Sequence, residues 1–179
     1  MSFDFRVHLE GALVKLRPLE EGDFEALFGV ASDPGIWEQH PEPDRWRREV
    51  FEGFFKGAID SRGAFLITDA ATGEVIGSSR YLKWLPGERS VEVGYTFLAI
   101  RCWGGSYNRE LKRLMCEYAF QFVDSIVFRI GRFNFRSRKA VEKIGARFET
   151  EYTARRANGS EHPAVKYRLH KCDQAWHVL

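Results

Sequence analysis

Val91-Glu92-Val93-Gly94-Tyr95-Thr96-Phe97-Leu98 runs directly into Ala99-Ile100-Arg101-Cys102-Trp103-Gly104-Gly105-Ser106-Tyr107-Asn108. The first eight residues alternate as a strand does, which places Val91, Val93, Tyr95 and Phe97 on one face. A short loop with a glycine pair follows. From residue 106 to about 123 the pattern is helical, with Leu111, Leu114, Met115, Tyr118, Ala119 and Phe122 recurring every three or four residues. A strand that passes through a glycine loop into a helix N-terminus makes an anion site, because unpaired backbone N–H groups and the positive end of the helix dipole converge there. Glycine lets the backbone approach the ligand closely. The expected ligand is a phosphate or pyrophosphate.

The neighbouring segments set the fold class. Ser125-Ile-Val-Phe-Arg-Ile130 is the nearly continuous apolar run of a buried parallel strand, so 89–98, 106–123 and 125–130 form a right-handed crossover unit. Upstream, residues 64–69, 74–84 and 89–98 read as an antiparallel meander turning at Thr72-Gly73 and Pro86-Gly87. Downstream, Asn134 is placed to cap a helix running to about Gly145, with Ala140, Val141 and Ile144 facing inward. Strands at 147–156 and 164–170 close the chain across Asn158-Gly159, and the sequon Asn158-Gly159-Ser160 reads as this hairpin turn instead of a glycosylation site. At the front, strands are expected at 5–9 and 13–19. A helix is expected at 21–31 on Phe24, Leu27, Phe28 and Ala31, and another from Pro43-Asp44 to about Ile59, buried through Trp46, Val50, Phe51, Phe54, Phe55 and Ala58. The class is mixed α/β, an antiparallel meander joined to one parallel pair.

Bulk properties narrow the function. At 179 residues, 44% hydrophobic and 29% charged, the chain is expected to form a single domain, 1–179. A formal net charge of +2, with basic and acidic residues interspersed, argues against nucleic-acid binding. Three scattered cysteines form neither a disulfide framework nor a zinc pattern. The five histidines show no ligand spacing, so no metal is expected. The sequence shows no signal-peptide pattern and no membrane-spanning apolar run, and a reducing, cytoplasmic setting fits best. Trp176, in the C-terminal tail, is a candidate contact for a homodimer.

Neither Gly-x-x-x-x-Gly-Lys-Ser/Thr nor Gly-x-Gly-x-x-Gly with its acidic partner is present, so nucleotide-triphosphate and dinucleotide loops are unsupported. Arg101-Cys102-Trp103-Gly104-Gly105-Ser106 instead resembles the Gln/Arg-x-x-Gly-x-Gly/Ala loop of the GNAT superfamily of acyl-CoA-dependent N-acetyltransferases. Glu92-Val93-Gly94-Tyr95 resembles the Glu-Ile-Gly-Tyr strand of the branch related to ribosomal-protein N-terminal (RimJ/RimL-type) acetyltransferases. Trp103-Gly104 with Tyr107 and Glu110 resembles that branch's entry into the helix. Asn134-Phe135-Arg136-Ser137 with Glu142-Lys143-Ile144-Gly145-Ala146 resembles its Asn-x-x-Ser … Glu-Lys-Leu/Ile-Gly-Phe block. The likeness covers roughly residues 13–170. Ser106 departs from the usual Gly or Ala, and Ala146 from the usual aromatic.

The resemblance implies a GNAT fold, a twisted, mostly antiparallel sheet with a splayed parallel strand pair and helices on both faces. It also implies acetyl-CoA as co-substrate and direct acetyl transfer to a primary amine, a protein or peptide N-terminus in particular. The backbone from Arg101 and Cys102 through Trp103, Gly104, Gly105, Ser106 and Tyr107 to Asn108 would hold the pyrophosphate. The edge at Phe97 and Leu98 would pair with the pantetheine arm, and an N–H near Phe97 would polarise the thioester carbonyl. Gly94 would supply the bulge that parts the parallel strands, or else serve close helix packing. Glu92 would be the general base through water, or an ordinary salt-bridged strand glutamate. Asn134 would contact pantetheine and Ser137 would protonate the leaving thiolate, with Tyr107 the other candidate acid; the plainer roles are a helix cap and an early helical serine. Cys102 has no nearby histidine in sequence to activate it as a nucleophile. Of Arg129, Arg132, Arg136, Arg138, Lys139 and Lys143, one or two would meet the CoA 3′-phosphate. Arg45, Arg47 and Arg48 would attract an acidic substrate or simply solubilise their helix. The alternatives in function are a small-molecule amine acetyltransferase and a non-catalytic acyl-CoA-binding module.

Overall fold

The computed structural model describes residues 3–156 and 158–173. Trp176, and with it the expected dimer contact, lies outside the described residues. One sheet organises the chain, in the order β1 (Leu9–Glu10), β2 (Val14–Pro18), β3 (Ala64–Asp69), β4 (Val75–Leu85), β5 (Ser90–Leu98), β6 (Ser125–Gly131), β8 (Glu161–His170) and β7 (Arg147–Arg155). Every neighbouring pair is antiparallel except β5 and β6. This is the mixed α/β architecture expected from the periodicities.

Two apolar cores cover the two faces. On one, α3 (Ser106–Ala119) and α4 (Phe135–Lys143) pack through Leu111, Met115, Ala119, Val141 and Ile144 against Val91, Val93, Ile126 and Phe128. On the other, α1 (Phe24–Ala31) and α2 (Arg48–Asp60) pack through Leu27, Ala31, Phe51 and Phe55 against Leu66 and Phe97. Aromatic rings dominate this second core; Phe51 and Phe24 lie 5.8 Å apart between centroids, and Trp37 and Phe97 5.1 Å apart.

Several boundaries differ from the sequence reading. The first strand shrinks to Leu9–Glu10. A 3₁₀ turn, Glu21–Asp23, precedes α1. The helix expected from Pro43 breaks at Arg47, whose extended backbone (φ −80°, ψ 136°) separates a 3₁₀ turn from α2. The break leaves Trp46 exposed instead of buried. Helix α3 stops at Ala119, and Phe120-Gln121-Phe122 continue as turns.

A long-range clamp holds α3 to the sheet edge. The Glu110 carboxylate accepts the backbone N–H groups of Ala12 (3.1 Å), Leu13 (2.6 Å) and Val14 (2.9 Å) in the β1–β2 turn. Gly11 makes room for it, since a Cβ there would lie 2.5 Å from the Glu110 carboxyl carbon.

Candidate active site

β5 and β6 are parallel neighbours only where Ser90–Glu92 face Ser125–Val127. Beyond that point the strands part. The cause lies in the other ladder of β5: Gly94 pairs with Arg80 and Phe97 with Ser78, so Tyr95 and Thr96 together oppose Ser79. This is a bulge, and Tyr95 carries its left-handed conformation (φ 52°). Gly94, the residue expected to form the bulge, does not have a positive φ, and a Cβ on it would meet only Leu82, at 3.4 Å, which is not close helix packing either. The inserted residue also shifts the phase of the strand. Val91 and Val93 face α3, whereas Phe97 faces the α1/α2 core and Tyr95 is half exposed beside Phe54. The single face expected for all four is therefore corrected to two.

The gap has an unexpected occupant. Lys112 of α3 is buried, donates to Thr96 Oγ1 (2.8 Å) on β5, and lies 5.6 Å from the ring centroid of Phe128 on β6. Burial lowers the pKa of its ammonium to about 8. The spacing 112, 115/116, 119 put this lysine in an apolar stripe, a signal the sequence reading passed over.

At the mouth of the gap, Gly104 takes the left-handed backbone (φ 71°) that only glycine adopts freely, and Gly105 is the N-cap of α3 with no side chain capping the helix. A Cβ on either glycine would meet nothing within 4 Å. Open space therefore borders both glycines at the start of α3, where no side chain caps the helix, an arrangement that suits an anion. Ser106 is the first helical residue, and its hydroxyl accepts from Arg109 (3.4 Å). Asn108 is partly buried one residue beyond Tyr107.

Other loop residues are engaged with the protein. Arg101 pairs with Glu74 (2.7 Å). Cys102 is buried and desolvation pushes its thiol up, which disfavours the thiolate a nucleophile requires. The Trp103 indole donates to the Leu98 carbonyl (2.9 Å) and stacks on Arg136, whose guanidinium carbon is 3.8 Å from the ring centroid. The Tyr107 hydroxyl donates to Asp69 (2.6 Å), a carboxylate that also accepts the N–H groups of Ala71 and Thr72. That bond raises the phenol above its usual range, so Tyr107 is committed to the β3–β4 turn.

Across the gap, buried Asn134 caps α4 by accepting the Ser137 N–H (3.1 Å), and Ser137 is partly buried. Four of the six basic residues around α4 have protein partners. Arg129 pairs with Glu92, Arg132 with Glu151 (3.2 Å), Arg136 with Trp103 and the Ile36 carbonyl (2.7 Å), and Arg138 with the Tyr167 hydroxyl (3.0 Å). Lys139 and Lys143 make no ion pair within 4.0 Å among the described residues.

Glu92 points to the face opposite α3. It is buried, ion-paired to Arg129 and 4.0 Å from Lys83, and lines a small depression with Lys166 and Arg168. On the same face, two buried arginines flank Phe54. Arg45 pairs with Glu42 and its guanidinium carbon lies 4.7 Å from the Phe54 centroid; that of Arg80 lies 5.5 Å from it. Arg48, expected alongside Arg45, pairs with Glu25 instead (2.7 Å), and Arg47 lies over exposed Trp46.

Comparison with known proteins agrees with this geometry. The family model described as an acetyltransferase (GNAT) domain matches residues 14–147. No curated protein sequence matches the chain. The fold is shared with a GCN5-related N-acetyltransferase from Brucella melitensis (21% identity, TM-score 0.76, 96% of this chain and 81% of that one). It is shared with Mycobacterium smegmatis RimJ in complex with CoA-disulfide (18%, 0.76, 99% and 95%). It is also shared with spermidine N-acetyltransferase from Vibrio cholerae in complex with CoA and spermine (18%, 0.69, 91% and 98%). Among the described residues, no helix is long and apolar enough to cross a membrane. With the family model spanning most of its length, the chain belongs to the GNAT acetyltransferase family.

Proposed function

We propose that this protein is a single-domain N-acetyltransferase that passes acetyl from acetyl-CoA directly to a primary amine, with a protein or peptide N-terminus as the favoured acceptor. The observation that carries the reading is the open edge of β5 beside the uncapped, glycine-led N-terminus of α3. Acetyl-CoA supplies the activated thioester. The N–H groups from Cys102 to Asn108 bind its pyrophosphate, and Lys139 and Lys143 are available to its 3′-phosphate. The edge at Phe97 and Leu98 lies beside the pantetheine arm; because the Leu98 carbonyl already accepts from Trp103, its N–H is the group left for pairing.

Glu92 takes a proton from the acceptor's ammonium through water, which frees the lone pair of the neutral amine for attack on the thioester, and Arg129 fixes the orientation of the Glu92 carboxylate. Asn134 holds the start of α4 so that Ser137 faces the sulfur and donates to the departing thiolate. The bond of Tyr107 to Asp69 favours Ser137 over Tyr107 for this role. An N-terminal amine, with a reference pKa of about 8 against about 10.4 for lysine, costs less to deprotonate. Three free cysteines suit a reducing, cytoplasmic setting.

A small-molecule amine acceptor is the second reading, and it draws support from the fold shared with spermidine N-acetyltransferase. Thiol release from acetyl-CoA, measured against N-terminal peptides and small amines, tests the proposal. Release stimulated by one amine class and lost in Glu92→Gln supports it. Tight acetyl-CoA binding without stimulated release from any amine identifies a binding module instead.

A further inference from the structure

Among the described residues, Arg80 has no counter-charge. It sits in the middle of β4 with 5% of its surface exposed, and among the described residues no carboxylate lies within 4.0 Å of it. It donates one hydrogen bond, to the Gly57 carbonyl (3.0 Å), and its buried Nε has no partner. A guanidinium taken out of water without an anion is costly unless something compensates it. The ring of Tyr95, 4.3 Å away, and that of Phe54, 5.5 Å away, compensate in part through their π faces. The second buried guanidinium across Phe54, that of Arg45, differs in having a carboxylate, that of Glu42.

The location is as informative as the charge. Arg80 pairs in register with Gly94, and Leu82 with Glu92. Arg80 and Glu92 therefore share a sheet face as diagonal neighbours, about 7–8 Å apart at the backbone. The other two residues of this patch are Gly94, which has no side chain, and Leu82, whose Cδ1 would lie 3.4 Å from a Cβ on Gly94. The half-exposed Tyr95, the bulge residue with the left-handed backbone, is the ring nearest Arg80 on the solvent side. The depression around Glu92 is lined by Lys83, Arg129, Lys166 and Arg168 together with Glu88, and Glu149 pairs with both Lys166 and Arg168.

We infer that the acceptor is an amine that also carries a carboxylate, bound with its amine toward Glu92 and its acid on Arg80 in place of the Tyr95 ring. The inference rests on the acetyl-transfer reading. The carboxylate has two sources, the α-carboxylate of a free amino acid or the acidic side chain of a peptide's first residues, and the chemistry at Arg80 is the same for both.

The experiment is thiol release from acetyl-CoA with matched amines: glutamate and its diamide for the free acid, and peptides beginning with Glu or Gln for the acidic N-terminus. Spermine serves as the cationic control. The expected result is a kcat/KM at least about tenfold higher for the acidic member of one pair, which identifies the source. In Arg80→Gln that preference collapses to the level of the neutral member, and Arg80→Lys restores part of it. The comparison within wild-type protein stands even if Arg80→Gln folds poorly. Equal rates within both pairs, or a preference for spermine, overturn the inference while leaving acetyl transfer intact. Release with none of the amines overturns the acetyl-transfer reading itself, and the inference with it.

Discussion

The Arg136 guanidinium carbon lies 3.8 Å from the centroid of the Trp103 ring, and the two residues belong to opposite walls of the β5–β6 cleft. Trp103 follows β5 and is tied back to Leu98; Arg136 opens α4 and is tied to Ile36. Their stack bridges the strands where the sheet hydrogen bonds have ended.

Breaking that bridge should loosen the cleft. Arg136→Ala and Trp103→Leu are each expected to cost about 1 kcal/mol or more, lowering the thermal midpoint by about 2–4 °C per kcal/mol. Both should also raise the KM for acetyl-CoA. A double-mutant cycle by thermal unfolding should give a coupling of about 0.5–2 kcal/mol; additive losses would show that the stack carries no energy of its own.

Lys112 should destabilise the protein at neutral pH. Its pKa falls from 10.5 in the unfolded chain to about 8 in the fold, so between these values the unfolded state binds more protons and stability rises with pH. Below about pH 8 the full penalty applies. Lys112→Met is expected to gain about 1–3 kcal/mol at pH 7 and to abolish the rise between pH 8 and 10.5. Urea unfolding at several pH values measures both effects.

His40 should make the fold acid-sensitive. Its ring is desolvated beside Arg45, which lowers its pKa from 6.5 to about 3, and it packs edge-on to Trp37 at 5.5 Å. The unfolded chain takes up a proton that the folded one refuses, so stability falls as pH drops from 6.5 toward 3, by up to about 5 kcal/mol. Asp23, Asp124 and Glu149 have lowered pKa values and lose stability in the same direction as they protonate. The difference between wild type and His40→Asn isolates the histidine: the variant should show a shallower loss below pH 6.5 in chemical denaturation.

Gly11 and Glu110 should behave as a pair. Gly11→Ala forces a Cβ against the Glu110 carboxyl and is expected to cost about 1–3 kcal/mol. Glu110→Ala strips the acceptor from three N–H groups, at about 1–3 kcal/mol. In the double variant the clash has already gone. The loss of unfolding free energy in the double variant should therefore be well below the sum of the two single losses.

The strand–loop–helix unit was legible because its signals are local: period two, a glycine pair, then period three to four. Asn134 and the Asn158-Gly159 turn were legible for the same reason, each side chain or backbone acting within a few residues of itself. The phase shift at Tyr95 was not, because the glycine next to it carries the usual mark of a bulge while the ladder with β4 sets its actual position. Arg80 and Lys112 were hidden for another reason. Pattern reading assigns charges to solvent, and only the assembled sheet shows two cations enclosed on either side of β5. The partners of Arg129 and Arg136 lie in distant parts of the chain and leave no trace in local spacing.

The Glu110 clamp joins residues 97 positions apart in the chain at Leu13. As the polypeptide leaves the ribosome, the first hairpin emerges with three turn amides whose acceptor has yet to be synthesised. Contacts of such long sequence separation close late. The β1–β2 hairpin is thus made well before it can be locked, and the same event seats the helix whose N-terminus faces the cleft.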